Sequence, residues 1–166
     1  MLLDQLKQRF GADIVAAESA RDEDTIAIAR ERALDVMRAL RDDPPFAFDF
    51  LADLTAVDWP ARAPRFDVVY HLHSLKRGHR LRVKVATGEP DPWVASVAGL
   101  WKSANWLERE CYDMFGIRFD GHPDLRRILM YDSFEGHPLR KDYPVNRRQP
   151  MVPETDPILN PLRPSR

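Results

Sequence analysis

The chain has 166 residues, of which 44% are hydrophobic and 31% are charged, and its formal net charge is −1. This length and composition predict one compact domain with, at most, a short additional element or tail. A net charge so close to zero argues against a partner held by an overall basic field, such as nucleic acid or an anionic membrane surface.

Cysteine content and hydropathy restrict the class further. Cys111 is the only cysteine, which excludes an internal disulfide or a cluster held by several cysteines of this chain and suits a reducing compartment. No apolar run approaches the roughly 20 residues that cross a bilayer, and residues 1–15 lack the apolar core of a secretory signal. We therefore expect any membrane association to be indirect.

The first 57 residues are predicted to mix helices and short strands. Apolar residues at helical spacing indicate one helix from Leu2 to Phe10, closed by Gly11, and another over residues 30–41, closed by acidic residues and two prolines. The predicted strands are short, and those after residue 46 are ambiguous; they are residues 14–15, 25–29, 48–50 and 54–57.

A β-hairpin between residues 66 and 85 is the clearest element. Apolar residues alternate with polar ones on both sides of the Lys76–Gly78 turn, which is typical of an antiparallel pair with one wet face. Two histidines, His71 and His73, lie on that wet face at a spacing that can supply two zinc ligands.

Two helices are predicted after the hairpin. Asp91-Pro92 resembles a helix start, with Trp93, Val97 and Trp101 as the buried stripe. Asn105 followed by Glu108 resembles a capping box for a helix ending at Phe115. On this helix, helical spacing places Trp106, Glu110 and Asp113 on one face and Leu107, Cys111 and Met114 on a buried one.

Charge and proline are unevenly distributed. Residues 1–43 carry a net charge of −3 and residues 126–148 a net charge of +3, which favours docking between charged patches. Six prolines between Pro144 and Arg166 predict an extended tail.

Several polar groups are candidates for a functional site. Glu108, Arg109, Glu110 and Asp113 suggest acid-base chemistry, but without a partner base they are better interpreted as a structural network, with Arg109 and Asp113 as an ion pair. Two Gly-His-Pro turns present His122 and His137. A metal hydrolase using His71, His73 and His122 and a nucleic-acid-binding module using residues 126–148 remain alternatives.

Most of the chain strongly resembles the C subunit of NADH-quinone oxidoreductase, the 30 kDa subunit family of respiratory complex I. The resemblance extends from about Phe46 to Val145 and is carried by Leu54–Asp58, Tyr70–Leu72, Glu108–Glu110, Asp113–Gly116, His122-Pro123, Arg126–Leu129 and His137–Pro144.

The resemblance implies a non-catalytic accessory subunit of the hydrophilic arm, on the cytoplasmic side of a bacterial membrane or in the mitochondrial matrix. Its partners would be the quinone-site subunit and the cluster-bearing subunit of that arm, with no nucleic acid. FMN, iron-sulfur clusters and quinone would belong to partner subunits, and this chain would hold no cofactor. An equivalent subunit of a membrane-bound hydrogenase or another donor's complex remains an alternative.

The expected architecture is a single α+β domain with a mixed or antiparallel sheet packed by helices. Residues 1–120 would form its body, 121–145 a partner-docking segment and 146–166 an extended proline-rich tail. The residues expected at the interface are Arg126, Arg127, His137, Arg140 and Lys141. Those expected in a structural network behind it are Glu108, Arg109, Glu110, Asp113 and His122.

Overall fold

A five-stranded mixed sheet, with strand order β1-β2-β5-β4-β3, organises the chain. The computed structural model describes residues 2–149. The elements in chain order are α1 (Leu2–Phe10), β1 (Ile14–Ala20), β2 (Glu23–Ile28), α2 (Ala33–Asp42), β3 (Phe50–Asp58), β4 (Phe66–Ser74), β5 (His79–Thr87), β6 (Trp93–Ala95), α3 (Ala104–Phe115) and β7 (Arg118–Asp120). This confirms the predicted α+β domain with a mixed sheet.

The central β4–β5 hairpin has the predicted antiparallel register. Val68 lies opposite Val85, and Tyr70 lies opposite Val83, so the apolar residues of both strands share one face. The sheet becomes mixed because β2 pairs in parallel with β5, with Ile26 beside Val83. That parallel contact joins the first hairpin to the second, and no local pattern in the sequence indicated it.

One face of the sheet carries the hydrophobic core. All three helices contribute to it: Leu6 from α1, Met37 from α2 and Met114 from α3 are buried in the same cluster as the apolar strand residues. In addition, α3 packs along β3. Burial of a large apolar side chain stabilises a fold by roughly 1.5–3 kcal/mol, so this shared cluster makes α3 an integral part of the domain.

The opposite face of the sheet is only partly open. The side chains of Trp59 and Arg62, from the β3–β4 loop, donate hydrogen bonds of 3.1 and 2.5 Å to Asp67. Asp67 is 9% exposed, and Val69, on the same face of β4, is 6% exposed. The solvent-exposed face predicted for β4 is therefore limited to the C-terminal end of the strand, where His71 lies.

The prediction of a helix after Asp91-Pro92 is wrong. Trp93–Ala95 instead forms β6 and pairs in parallel with β7. The Thr87 hydroxyl holds Trp93 in place, accepting from its N–H and donating to its C=O at 3.0 Å each. Val97 and Trp101 are buried as predicted, but turns rather than a helix bring them to the core.

Other boundaries also differ from the predictions. β3 is one strand with a bulge between Leu51 and Asp53 rather than two pieces, and β1 extends to Ala20. The capping box is wrong, because Ser103 is the N-cap of α3 and makes no side-chain cap bond. Prolines 150–164 of the predicted tail lie outside the described residues.

The one-sided core predicts unequal costs for two leucines near the end of β4. Leu72→Ala should lower the free energy of unfolding by about 3 kcal/mol, because Leu72 is 1% exposed within the core. Leu75→Ala should change it by less than about 0.5 kcal/mol, because Leu75 is 66% exposed. Urea unfolding of both variants measures this, and equal losses would contradict the assignment.

Candidate functional site: a segment clamped over the end of the third helix

Residues 121–149, here called the clamped segment, follow β7 and contain no helix or strand. A segment without regular structure must satisfy its backbone groups by other contacts. It does so against α3 and against the β3–β4 hairpin, through three buried polar clusters. These clusters determine which of its side chains remain on the surface.

Asp113 is the centre of the first cluster. Its carboxylate has no exposed surface. One oxygen accepts the backbone N–H groups of Ile128, Leu129 and Met130 at 3.1, 2.8 and 2.8 Å, and the other accepts from the Arg127 guanidinium at 2.5 Å. Four donors on one carboxylate hold this turn of the segment against α3.

The donors also decide the charge of Asp113. Burial by itself would raise the pKa of this carboxyl, but the hydrogen bonds from Met130, Arg127, Leu129 and Ile128 outweigh burial and hold the pKa below its ordinary value. A lowered pKa in the folded state means that this stabilisation is present above pH 3.8 and is lost as the pH falls further. Asp113 is therefore an anion at neutral pH.

Arg127 extends this cluster along the segment. Its side chain is only 16% exposed, and it donates to the carbonyls of Phe134 and Gly136 at 3.0 and 3.1 Å. Its guanidinium also lies 5.7 Å from the centre of the Phe134 ring. One buried cation thus joins α3 to two later turns of the segment.

Besides the three clusters, the C-terminal end of α3 also bonds to the clamped segment. The last carbonyls of a helix lack partners within the helix. Here the carbonyl of Asp113 accepts from His137 Nδ1 at 2.9 Å, that of Met114 from the Leu139 N–H at 3.1 Å and that of Phe115 from Arg140 Nε at 2.5 Å. Burial lowers the pKa of His137, so the neutral ring donates through its Nδ1–H.

Gly116 allows this close approach. Its φ of +72° is the left-handed conformation that ends many helices and that glycine adopts without strain. A Cβ atom at this position would lie 2.5 Å from the His137 ring and 2.8 Å from the Arg140 guanidinium. Only glycine leaves room for both side chains.

A second polar cluster ties the segment to the β3–β4 hairpin. Arg65 donates two 2.7 Å bonds to Asp58, whose side chain is fully buried. Arg65 also reaches Asp142 at 3.0 Å, and the Lys141 N–H donates to Asp58 at 2.8 Å. The hydrogen bonds from Arg65 are the main cause of a lowered pKa at Asp58, so this bidentate pair is ionised.

A third cluster lies at the first turns of α3, beneath the start of the segment. Glu108 has no exposed surface and accepts from the Ser96 hydroxyl at 2.6 Å and the Val97 N–H at 2.7 Å. The ring of His122 lies 4.0 Å away and is also fully buried.

The hydrogen bonds of His122 specify its tautomer. Nδ1 accepts the Asp124 N–H at 3.0 Å, so it carries no proton. Nε2 lies 3.0 Å from the Asn105 carbonyl, which can only accept, so Nε2 carries the proton. The ring is therefore held neutral beside Glu108. Without a cationic partner, burial raises the pKa of Glu108 to about 7.

Five residues were predicted to form a structural network, and four of them are engaged within the chain. Glu108, Asp113 and His122 are placed as described, and Arg109 donates to the carbonyls of Arg126 and Arg127 at 3.2 and 3.1 Å. The predicted Arg109–Asp113 ion pair is wrong, since Asp113 pairs with Arg127.

Glu110 is exposed, and the helical face shared by Trp106, Glu110 and Asp113 is not uniform in its exposure. Trp106 is 69% exposed whereas Asp113 has no exposed surface. The turn that covers Asp113 is an irregular part of the chain, so helical periodicity could not reveal the difference.

The five predicted interface residues divide into two groups. The Arg126 side chain is 69% exposed, with its guanidinium 2.9 Å from the equally open Asp124, and Lys141 is exposed. The other three, Arg127, His137 and Arg140, instead direct their side chains toward α3, where they bond to Asp113 and Phe115. Sequence reasoning missed the cluster of Asp58, Arg65 and Asp142, because Asp142 lies 77 residues after Arg65 in the chain.

Residues 2–149 contain no group of three or more histidine, cysteine, aspartate or glutamate side chains placed to hold a metal ion. The zinc interpretation is wrong in its geometry, because His71 lies on the open sheet face while His122 is buried against α3. Across the same residues, no helix is long and apolar enough to span a membrane.

These observations define a class of α+β domain in which a long irregular segment is fastened over the end of a helix by buried ion pairs. A family model described as "Respiratory-chain NADH dehydrogenase, 30 Kd subunit" matches residues 26–149. The chain belongs to this family, which confirms the resemblance seen in the sequence.

Curated relatives agree over most of the chain. The chain is 48% identical to the C 2 subunit of NADH-quinone oxidoreductase from Rhizobium etli, over 84% of this chain and 74% of the relative. It is 49% identical to the C subunit of the same enzyme from Citrifermentans bemidjiense, over 85% and 86%, and 52% identical to that from Caulobacter vibrioides, over 82% and 72%.

Two solved structures share the fold. A trypsin-resistant fragment of Nqo5 is 36% identical, with a TM-score of 0.65 over 75% of this chain and 96% of the fragment. A chain of an archaeal membrane-bound sulfane sulfur reductase is 22% identical, with a TM-score of 0.74 over 87% and 85%. The second similarity concerns the fold alone.

The Asp113 cluster predicts that Asp113→Asn loosens the clamped segment. Asparagine keeps the shape but removes the charge that faces Arg127 and leaves that largely enclosed cation unpaired. We expect a loss of about 3 kcal/mol in the free energy of unfolding, together with faster trypsin cleavage after Arg126, Arg127, Arg140 and Lys141.

The control for this substitution is Asp124→Asn, because Asp124 forms an ion pair whose two side chains are 59% and 69% exposed. It should change stability by less than about 1 kcal/mol and leave the rate of cleavage at Arg140 unchanged. If Asp113→Asn left both stability and cleavage unchanged, Asp113 would not be what holds the segment.

The raised pKa of Glu108 predicts a stability change with pH. Its folded-state pKa of about 7 lies above its ordinary value of 4.5, so its contribution is fully present below pH 4.5 and is lost as the pH rises through 7. The loss is on the order of 3 kcal/mol.

Glu108→Gln, which cannot ionise, isolates this effect. The stability of wild type relative to the variant should fall as the pH rises from 4.5 to 8, measured by urea unfolding at each pH. A difference that is constant across this range would show that Glu108 does not change its protonation there.

Proposed function

We propose that this chain is a non-catalytic, cofactor-free subunit of the hydrophilic arm of a proton-translocating NADH:quinone oxidoreductase. The observation that carries this proposal is the family match, which includes the whole clamped segment as well as β3 to β7. FMN, iron-sulfur clusters and quinone would be bound by partner subunits. The chain would lie peripherally, on the cytoplasmic side of a bacterial membrane.

The clamped segment is the proposed docking surface for the quinone-site subunit and the cluster-bearing subunit. Leu129 and Leu139 are 57% and 50% exposed. Their backbone N–H groups bond to the adjacent α3 residues Asp113 and Met114. The backbones of the two leucines therefore lie close together on the surface. Large apolar side chains grouped on a surface are a feature of protein interfaces.

The charges on the segment suit a partner with exposed carboxylates. Lys141 is exposed and has no ion-pair partner for its side chain within residues 2–149. The Arg126 side chain is also exposed, so a carboxylate of the partner can compete with Asp124 for it. We propose that these two cations contact the partner, whereas Arg127, His137 and Arg140 shape the surface from below. Arg127 and Arg140 are engaged within the chain, so the segment offers phosphates fewer free cations than its sequence suggests, and no nucleic-acid partner is proposed.

The buried clusters would make docking less costly. Ordering a mobile segment during binding costs conformational entropy, and a segment that is already ordered avoids that cost. Asp113, Asp58 and the end of α3 hold residues 127–142 in one conformation before any partner arrives.

The test of function is purification of the tagged chain from gently solubilised membranes, with the associated chains identified by mass. Recovery of a quinone-site subunit and a cluster-bearing subunit in equal amounts would support the proposal. The remaining chains would distinguish NADH from another electron donor, since related complexes contain subunits of this fold. Recovery of this chain alone from the soluble fraction would contradict the proposal.

A charge placed on the docking surface should prevent assembly. Leu129→Asp should leave the free energy of unfolding within about 1 kcal/mol of wild type, because the side chain is 57% exposed, but should reduce recovery of both partners at least tenfold. Leu75→Asp, at a position 66% exposed on the β4–β5 turn, is the matched control. Equal recovery with both variants would exclude Leu129 from the interface.

A further inference from the structure

Within the described residues, only one of the two edge strands of the five-stranded sheet is covered by another element. The edge strand β3 is covered by α3: the Ser103 hydroxyl donates to the Leu51 carbonyl at 3.1 Å, and the Cys111 thiol lies 3.8 Å from the Leu54 carbonyl. The other edge strand, β1, pairs only with β2. Within residues 2–149, no strand pairs with its outer side.

The β1 edge has only two of the features that usually protect such a strand, a bulge between Ile14 and Ala16 and the charged Glu18. It is seven residues long and contains no proline, lysine or arginine, which are common means of blocking further pairing. Val15 is 72% exposed, and the remaining side chains include three alanines and a serine after it. Small side chains allow another backbone to approach closely.

The turn that follows β1 shows which backbone groups point outward. Arg21 and Asp22 have φ values of 56° and 62°, as in a two-residue type I′ hairpin turn. The residues flanking such a turn, Ala20 and Glu23, form a hydrogen-bonded pair, and such pairs alternate along an antiparallel ladder. Since Glu18 lies opposite Thr25, Ala17 and Ser19 direct their N–H and C=O groups away from the sheet.

The charge around this edge indicates what could pair with it. Residues 13–24 contain five carboxylates and one guanidinium. Three of the carboxylates are paired with Arg32, Lys84 and Arg82. Asp22 and Asp24 have no ion-pair partner within the described residues, nor has Arg21, and together these three side chains leave a net charge of −1 at this end of the edge. A second copy of the chain would bring the same carboxylates, so a basic strand is favoured over self-association.

The chain's own C-terminal residues are unsuitable for this position. Residues 150–166 contain five prolines, and no run between them exceeds three residues. Proline has no N–H to donate and is excluded from continuous ladders.

We propose that β1 accepts an extended, basic segment of a neighbouring protein subunit as a sixth strand of the sheet. The incoming strand pairs with the outward backbone groups of Ala17 and Ser19, and its cations lie near Asp22 and Asp24. This rests on the proposed function, because the neighbour is another subunit of the same complex. It assigns a second contact surface, separate from the clamped segment.

The test is residue-resolved hydrogen–deuterium exchange of the isolated chain and of the purified complex. The amides of Ala17 and Ser19 should exchange at least tenfold more slowly in the complex, while those of Ala16 and Glu18, which already bond to β2, are protected in both. Unchanged exchange at Ala17 and Ser19 in a complex that contains the chain would overturn the inference and leave the proposed function intact. A chain absent from the complex would overturn both.

Two sets of variants test the pairing and the charge. Ala17→Pro removes one outward N–H and should lower recovery of the complex at least fivefold, whereas Ala17→Ser, which keeps the N–H, should not. Replacing Asp22 and Asp24 by asparagine, and then by lysine, should lower recovery in that order. Equal recovery for asparagine and lysine would exclude a basic strand, and a dimer of the isolated chain with protected Ala17 would show self-pairing instead.

Discussion

The clamped segment depends most on a single buried carboxylate. Asp113 is isolated from water and receives three backbone N–H groups and one guanidinium. A buried charge is tolerated only when its partners are complete, so the conformation of residues 127–130 is linked to the ionisation of Asp113. The positions of Leu129 and of the turns that follow Arg127 are consequences of that requirement.

The end of α3 adds a second constraint of the same kind. Its last three carbonyls are satisfied by the clamped segment rather than by water. The cation Arg140 also lies at the negative end of the helix, where the helix dipole favours it. Because Gly116 leaves no side chain at this point, the segment can approach the helix end closely. The helix and the segment therefore satisfy each other's hydrogen-bonding groups.

Glu108 and Asp113 lie on the same helix, and both are fully buried, yet their pKa values move in opposite directions. Asp113 has a cationic donor besides its backbone donors, which outweighs the effect of burial. Glu108 has neutral donors and a histidine held neutral by Asn105 and Asp124, so burial dominates. One helix thus carries an ionised carboxylate beneath the clamped segment and, near Ser96, a carboxyl group with a pKa of about 7.

Local pattern alone determined the parts of the fold in which one side-chain period dominates. Alternation was sufficient for the β4–β5 hairpin, and helical spacing followed by Gly116 was sufficient for α3. It failed at Trp93–Ala95, because a three-residue strand is stabilised by a distant partner, β7, and leaves no periodic trace. The family resemblance came from short ordered motifs, and these included Asp113, Arg127, His137 and Arg140.

The roles of those motif residues were decided only by tertiary structure. The sequence showed Arg126, Arg127, Arg140 and Lys141 as equivalent basic residues, and folding engaged Arg127 and Arg140 in contacts within the chain and left the other two exposed. The same is true of Asp58 and Asp142, which meet at Arg65 from positions 84 residues apart. Ion pairs of this kind depend on distances in space, and periodicity along the chain contains no information about them.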